Sequence, residues 1–306
     1  MLDLRKEKIL VTGGAGFFGR HIIERLLVHG VSRERIYAPR TAEIDLRKRE
    51  DCERAVRGMN VVIHLAGITG NAEFHREHPA EIFYDNLLMG VELMDAARRA
   101  GVKKFVTIGS ITEYPLTARL PFREADLWIG APEPIHAPYT VAKKMLFVEA
   151  QAYRRQYGFN AVHVLLTNMY GPGEHLNGGP IPELITKIGE AKKAGANFIE
   201  GWGTGKPTRD FLYVADAADG VILIAEKYDG AEPINLGSGF EISMHQLAAT
   251  IANLMDFKGE VRWNAERPDG QMRRVMDTTR IERELGFRAV TDFHKGLTET
   301  IASHGY

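Results

Sequence analysis

The chain has 306 residues, enough for a large core in one domain or two closely joined ones. Its 39 lysines and arginines nearly balance 40 aspartates and glutamates, and a net charge of −1 removes the electrostatic case for nucleic acid or an anionic membrane as the main partner. Cys52 is the only cysteine, so an intrachain disulfide is excluded. With no apolar run of membrane-spanning length and no room for a signal peptide before the first apolar segment, we expect a soluble, cytoplasmic protein.

Ile9-Leu10-Val11 reads as a buried strand. It runs into Thr12-Gly13-Gly14-Ala15-Gly16-Phe17-Phe18-Gly19, and from Phe18 onward apolar residues recur at Ile22, Ile23, Leu26 and Leu27, which is helical spacing. Glycines at 13, 16 and 19 leave a strand-to-helix turn without side chains at its closest approach. Backbone N–H groups at the helix start, including those of Phe17 and Phe18, can then face a pyrophosphate. Next come a short strand at Arg35–Ala38, a helical stretch around Asp51–Arg57, and a strand at Val61–Leu65 ending in Ala66-Gly67. A long helix is predicted from Pro79 to Ala100, a buried strand at Lys104–Ile108, a helix at Pro138–Tyr157 closed by Gly158, and a strand at Ala161–Leu166. This alternation argues an α/β fold, a Rossmann-type doubly wound parallel sheet covered on both faces.

After Thr167 the rhythm becomes irregular. Helices are expected at Ile181–Gly189, with Pro182 in the first turn, at Val214–Tyr228, and at Ser243–Met255 with Ser243 as cap, with a short strand at Pro233–Leu236 and two more helices after Thr278. We therefore divide the chain into a dinucleotide-binding domain, 1–167, and a smaller α/β substrate lobe, 168–306, with segments of about 205–235 returning to the first domain. The ligand cleft is expected outside the carboxyl ends of the parallel strands.

Two side-chain patterns carry chemistry. Tyr139 and Lys143 stand four apart on a helix and share a face. A lysine cation beside the phenol favours the phenolate, so Tyr139 can exchange a proton with a sugar or alcohol oxygen. Ser110, just past a strand end, can hydrogen-bond the same oxygen.

The order glycine turn, strand-end serine, Tyr-x-x-x-Lys resembles the extended short-chain dehydrogenase/reductases that act on nucleotide sugars. The resemblance spans nearly the whole chain. It includes His64-Leu65-Ala66-Gly67, Asp85-Asn86, Asn168-Met169-Tyr170-Gly171-Pro172, Trp202 through Phe211, Tyr213-Val214-Ala215-Asp216, Asn235 through Gly239 and Arg267 through Gln271. Within that family, Gly109-Ser110 through Tyr114-Pro115, the Trp-Gly-x-Gly-x-Pro run and Pro268-Asp269-Gly270 look most like the GDP-L-fucose synthase group. The resemblance implies a catalytic set of Ser110, Tyr139 and Lys143. It also implies cofactor contacts from Gly13, Gly16, Phe17, Phe18, Gly19, Asp45, Leu46, Leu65, Ala66, Gly67 and Asn86, together with Tyr139 and Lys143. Substrate contacts fall to Thr112, Asn168, Trp202, Arg209, Asp269 and Arg273, the two arginines pairing with a diphosphate. Arg273 stands beside Arg274, and the sequence leaves open which of them faces the cleft. A homodimer through the Pro79–Ala100 and Pro138–Tyr157 helices is implied as well. No metal site is expected.

The chain departs from that group where its 3,5-epimerising pair should stand. Thr112 takes the place of a cysteine, and Gly179 or Pro180 that of a histidine before Ile181-Pro182. His136 and His175 are the candidates to substitute. Ile111-Thr112 also replaces the Asp-Glu pair of the family's dehydratases. What is left is hydride transfer at carbon 4 of a 4-keto(-6-deoxy) nucleotide-diphosphate sugar. It runs either as net reduction or, as the alternative, as a 4-epimerase with tightly bound NAD. The second strand ends Tyr37-Ala38-Pro39-Arg40 with no carboxylate for a ribose diol, and Arg40 is placed to meet a 2′-phosphate, which favours NADP(H) while leaving NAD(H) possible.

Overall fold

A computed structural model describes residues 1–175 and 179–306. Strand and helix alternate through the first half: β1 (Ile9–Thr12), α1 (Phe17–Val28), β2 (Ile36–Tyr37), α2 (Arg49–Val56), β3 (Val61–His64), a short α3 (Ala72–Glu77), α4 (Pro79–Arg99), β4 (Lys104–Ser110), α5 (Ala137–Tyr157) and β5 (Ala161–Leu166). The second half continues with β6 (Asn168–Tyr170), α6 (Pro180–Ala194), β7 (Phe198–Trp202), β8 (Thr208–Tyr213), α7 (Val214–Lys227), β9 (Ile234–Leu236) and β10 (Glu241–Ser243). It closes with α8 (Met244–Leu254), β11 (Glu260–Asn264), β12 (Arg273–Arg274), α9 (Thr279–Leu285) and α10 (Phe293–Ser303).

The unbroken apolar runs of the first half require burial on both faces, and they obtain it. Every residue of β1, β3 and β5 is buried. These strands lie in a six-stranded sheet of order β2-β1-β3-β4-β5-β9 whose neighbours all pair in parallel. Phe18, Ile22 and Leu26 of α1 and Val214 through Ala225 of α7 cover one face. Ala55 of α2, Leu93 and Ala97 of α4, and Leu146 and Ala150 of α5 cover the other, with Cys52 sealed among them. Because β1 has β2 on one side and β3 on the other, the strand order reverses between β1 and β3, which opens a crevice at their carboxyl ends.

A smaller layer is built on β8. It pairs antiparallel with β10 and parallel with β12 and β6, and β7 and β11 form a separate parallel ribbon. Helices α6, α8 and α10 enclose its core of Tyr170, Ile185, Ile188, Phe211, Leu247, Ile251 and Leu297. Helix α8 starts at Ser243 in a reciprocal cap with Gln246. Helix α6 runs beyond the expected Ile181–Gly189, from Pro180 to a left-handed Gly195. The sequence did not announce α3, which spans only six residues between its Asn71 cap and His78.

Candidate active site

The glycine turn has the geometry the spacing implied. Gly13 has φ +68°, and a Cβ there would meet Ala66 N at 2.9 Å. A Cβ on Gly19 would strike Gly13 O at 2.2 Å, so the missing side chain is what lets α1 pack against the end of β1. Gly16 caps α1 without a side-chain bond, which leaves the first N–H groups of the helix open to an anion. Thr12 ties the two loops of the crevice together. Its hydroxyl accepts from Leu65 N and Ala66 N at 3.1 and 3.2 Å and lies 2.9 Å from His64 Nδ1. Burial, with Lys143 adding to it, pushes His64 down to about 3, so its ring is neutral. Phe17, Phe18 and Gly67 line a cavity of about 860 Å³ above this floor.

Three of the expected cofactor residues also make contacts within the protein. Asn86 spends its side chain on the protein: Oδ1 accepts from Ile68 N, and Nδ2 donates to Ile68 O and Ile82 O. It shapes the loop after β3, with its oxygen 2.8 Å from where a Cβ on Gly67 would stand. Leu46 is buried in the core and Asp45 is bridged by Arg47, so this pair anchors a loop wall. Arg40 is exposed beyond β2, and its guanidinium makes no hydrogen bond or ion pair among the described residues. The nearby Glu43 is occupied by the Tyr37 hydroxyl at 2.9 Å. The rim is therefore open for a phosphate. These features together fit a dinucleotide, with glycine contacts for a pyrophosphate and a free guanidinium at the far end.

Ser110 ends β4 and starts a 3₁₀ turn, Ile111–Glu113. Its Oγ accepts from the Thr112 N–H at 3.2 Å and the Thr112 hydroxyl at 3.0 Å, and its own proton is left to donate. Thr112, expected at the substrate, thus orients Ser110. Thr140 Oγ1 stands 3.3 Å from Thr112 Oγ1. Glu113 turns into the core, where it accepts from Ser110 N at 2.9 Å and meets His163 Nε2 at 3.1 Å. A Cβ on Gly109 would sit 2.2 Å from that carboxylate, so the strand end needs glycine there.

Tyr139 and Lys143 lie one turn apart in α5, the ammonium 5.8 Å from the ring centre. Burial, reinforced by Glu113, holds the Tyr139 phenol well above its usual range. Lys143 is itself pushed down to about 8 by burial, which Glu113 partly offsets. The phenol is thus the favoured form of Tyr139 here, and in that form it can give a proton. The ammonium points at the dinucleotide cavity, since a Cβ on Gly67 would meet it at 3.3 Å. Helix α3 supplies neighbours that the sequence did not reveal. The His75 ring stands edge-on to Tyr139 at 5.7 Å and contacts His136 at 5.0 Å. His136 is held by Glu133 at 2.7 Å, and His175 is exposed at the cavity wall.

Across the cleft a second cavity, about 300 Å³, is lined by Asn168, Trp202, Arg209, Asp269 and Arg274. Arg209 is fixed by Thr208 O at 2.7 Å and Gln271 O at 2.8 Å, and burial, with Arg274 adding to it, pushes it down to about 10. Arg273 does not face this cavity. It turns to the opposite side of β12 and pairs with Glu241 at 2.7 Å. Arg274 faces inward, bound to Glu133 at 2.5 Å and Gln271 at 2.8 Å. On a two-residue strand the side alternates with each position, so adjacent arginines must part. Asp269 gives its carboxylate to Thr204 N and Oγ1, closing the turn at 203–205. Trp202 donates to Pro268 O with Arg267 stacked over its ring at 4.5 Å. Asn168 lines both cavities, so they adjoin at β6. Lys187 and Trp263 complete the second wall, and no motif in the sequence marked them.

Residues 9–237 match the model of the NAD dependent epimerase/dehydratase family. The chain is 35% identical over 299 residues to a probable GDP-L-fucose synthase 1 of Oryza sativa subsp. japonica, covering 96% of this chain and 90% of that one. A GDP-L-fucose synthetase from Naegleria fowleri, solved with NADP bound, superposes with a TM-score of 0.86 at 27% identity, covering 99% and 95% of the two chains. A GDP-mannoheptose C4 reductase from Campylobacter jejuni shares the fold throughout, with a TM-score of 0.90, 24% identity and full coverage of both chains. The protein belongs to the NAD dependent epimerase/dehydratase family of extended short-chain dehydrogenase/reductases.

Proposed function

We propose that the protein reduces the C4 ketone of a GDP-linked 4-keto-6-deoxy sugar with NADPH. The observation that carries this reading is that Ser110 is joined through Thr112 to Thr140 of the helix that bears Tyr139 and Lys143, with the Lys143 ammonium beside Gly67 of the dinucleotide-shaped crevice. Residues 1–167 hold the cofactor, and 168–306 mainly hold the sugar nucleotide, with 205–235 partly serving the first domain. Bound NADPH supplies the hydride. Ser110 donates to O4, Tyr139 gives O4 its proton as the alkoxide forms, and Lys143 holds the ribose beside Gly67. Arg40 takes the 2′-phosphate, and Arg209 and Arg274 take the substrate diphosphate. The relatives named GDP-L-fucose synthase and the NADP-bound structure support a GDP-sugar and NADP(H). We read the activity as stopping at C4, because Thr112 stands two places after Ser110 and the one thiol, Cys52, is sealed in the core.

Loss of NADPH absorbance on adding GDP-4-keto-6-deoxymannose tests the reading. Tyr139→Phe should lower kcat by about 10²-fold or more while NADPH binding holds. A variant as active as wild type would refute Tyr139 as the donor. We place the protein in the cytoplasm as a homodimer. Phe83 and Tyr84 of α4 and Val148 and Tyr157 of α5 are exposed on the helices that would pair, and sedimentation equilibrium checks this.

A further inference from the structure

Behind Ser110 lies a buried polar pair that the reduction itself does not use. The 3₁₀ turn after β4 is closed by the backbone, Tyr114 N donating to Ile111 O at 3.3 Å. Glu113 is not needed for that closure, yet its side chain turns into the core and is fully buried, as is that of His163 on β5. Oε1 accepts from Ser110 N at 2.9 Å, and Oε2 lies 3.1 Å from His163 Nε2. Facing a carboxylate, Nε2 is the ring nitrogen that carries the proton. A carboxylate and an imidazole at this depth cost more than two apolar side chains would, so their presence calls for a reason. The strand end is shaped around them: a Cβ on Gly109 would fall 2.2 Å from Oε1 and 2.4 Å from His163 Nε2. The His163 ring stacks on Phe147 of α5, with centres 5.5 Å apart and planes at 28°. Tyr139, Lys143 and Phe147 follow one another at four-residue intervals and so share a face of α5. Burial has the larger effect on both Tyr139 and Lys143, and the Glu113 charge adds an upward push to each. The pair thus joins the Ser110 backbone to the face of α5 that bears the phenol and the ammonium.

We propose that Glu113, braced by His163, is a positioning residue that fixes the Ser110 hydroxyl relative to Tyr139 and Lys143. This rests on the C4-reduction reading. Oε1 holds the Ser110 N–H, while Ser110 Oγ takes the Thr112 N–H and hydroxyl, which leaves the serine proton for the substrate oxygen. The reach of the side chain matters here, and its charge does not. A neutral acceptor of the same length can serve, because His163 Nδ1 has no partner among the described residues. The ring can move its proton there and accept from an amide at Nε2.

The test is steady-state NADPH oxidation with GDP-4-keto-6-deoxymannose, run beside thermal unfolding of each variant. Glu113→Asp keeps the charge but falls one methylene short of Ser110 N. It should lower kcat about tenfold or more while the KM values of NADPH and the sugar nucleotide stay within about twofold of wild type. Glu113→Gln keeps the reach and should stay within about threefold of wild-type kcat. In a Ser110→Ala background, Glu113→Asp should lower kcat by no more than a further twofold or so, because the group it positions is gone. Wild-type kcat in Glu113→Asp overturns the proposal alone. So does a loss in Glu113→Gln as large as that in Glu113→Asp, or a full loss from Glu113→Asp on top of Ser110→Ala. A wild type that leaves NADPH unoxidised with this substrate overturns the C4 reading and this inference with it.

Discussion

At Tyr139 and Lys143 the decisive quantity is the cost of burying a charge. A lysine one turn from a tyrosine stabilises a phenolate only when the ammonium keeps its own proton, and here burial opposes both ions. A neutral phenol can give a proton, as the proposed reduction needs. Lys143 loses its proton as pH rises through about 8, so kcat/KM for NADPH-dependent reduction should fall above that pH. A profile flat to pH 10 would show that the charge on Lys143 does not matter. The arginines make a second case. Arg274→Ala should raise the KM of the sugar nucleotide about tenfold or more, through loss of a charge-assisted contact, and Arg273→Ala should change it by no more than about twofold. Equal effects would contradict the partition of these neighbours across β12. The sequence displayed both arginines but not the register that separates them. That register depends on pairing with β8, where Arg273 sits opposite Thr208 and Arg274 opposite Arg209.

At the scale of elements, the legible parts were those whose burial is complete. β1, β3, β4 and β5 read as apolar runs because helices cover both faces, and α4 and α5 read by their length and by the stops at Gly101 and Gly158. The second lobe was harder for a physical reason. β7 is buried only at alternate positions, and β10 and β12 have three and two residues, too few to show a period. Helix α3 was hidden by its six residues and by Pro79, which starts the next helix almost at once. Yet α3 carries His75, which packs against Tyr139, so the missed element bears directly on the proposed site. The glycine turn was legible in kind, and the contacts now give each glycine a task. Gly19→Ala should push α1 away from Gly13 O, cost about 1–3 kcal/mol of stability, and weaken NADPH binding more than sugar-nucleotide binding. Thermal unfolding with separate titrations of the two ligands reads this. A stable variant that binds NADPH normally would show that the turn tolerates a side chain.

At the scale of the molecule, two layers share one cleft because the chain returns between them. β9 leaves the second half to pair with β5, and Asn235 within it takes the Tyr114 hydroxyl at 2.6 Å while donating to Phe122 O and Asp277 O. Glu133, ahead of α5, reaches Arg274 in the small lobe, so the loop leading to Tyr139 is tied to the wall expected to meet the diphosphate. We propose that this arrangement delivers hydride to carbon 4 without inverting carbon 3 or carbon 5. It is tested most directly with NADPH deuterated at nicotinamide carbon 4 and GDP-4-keto-6-deoxymannose in ordinary water, the product being read by NMR. One deuterium is expected at sugar carbon 4, with carbons 3 and 5 in the substrate's configuration. Deuterium absent from carbon 4 in the product, or a product inverted at carbon 3 or 5, would contradict it.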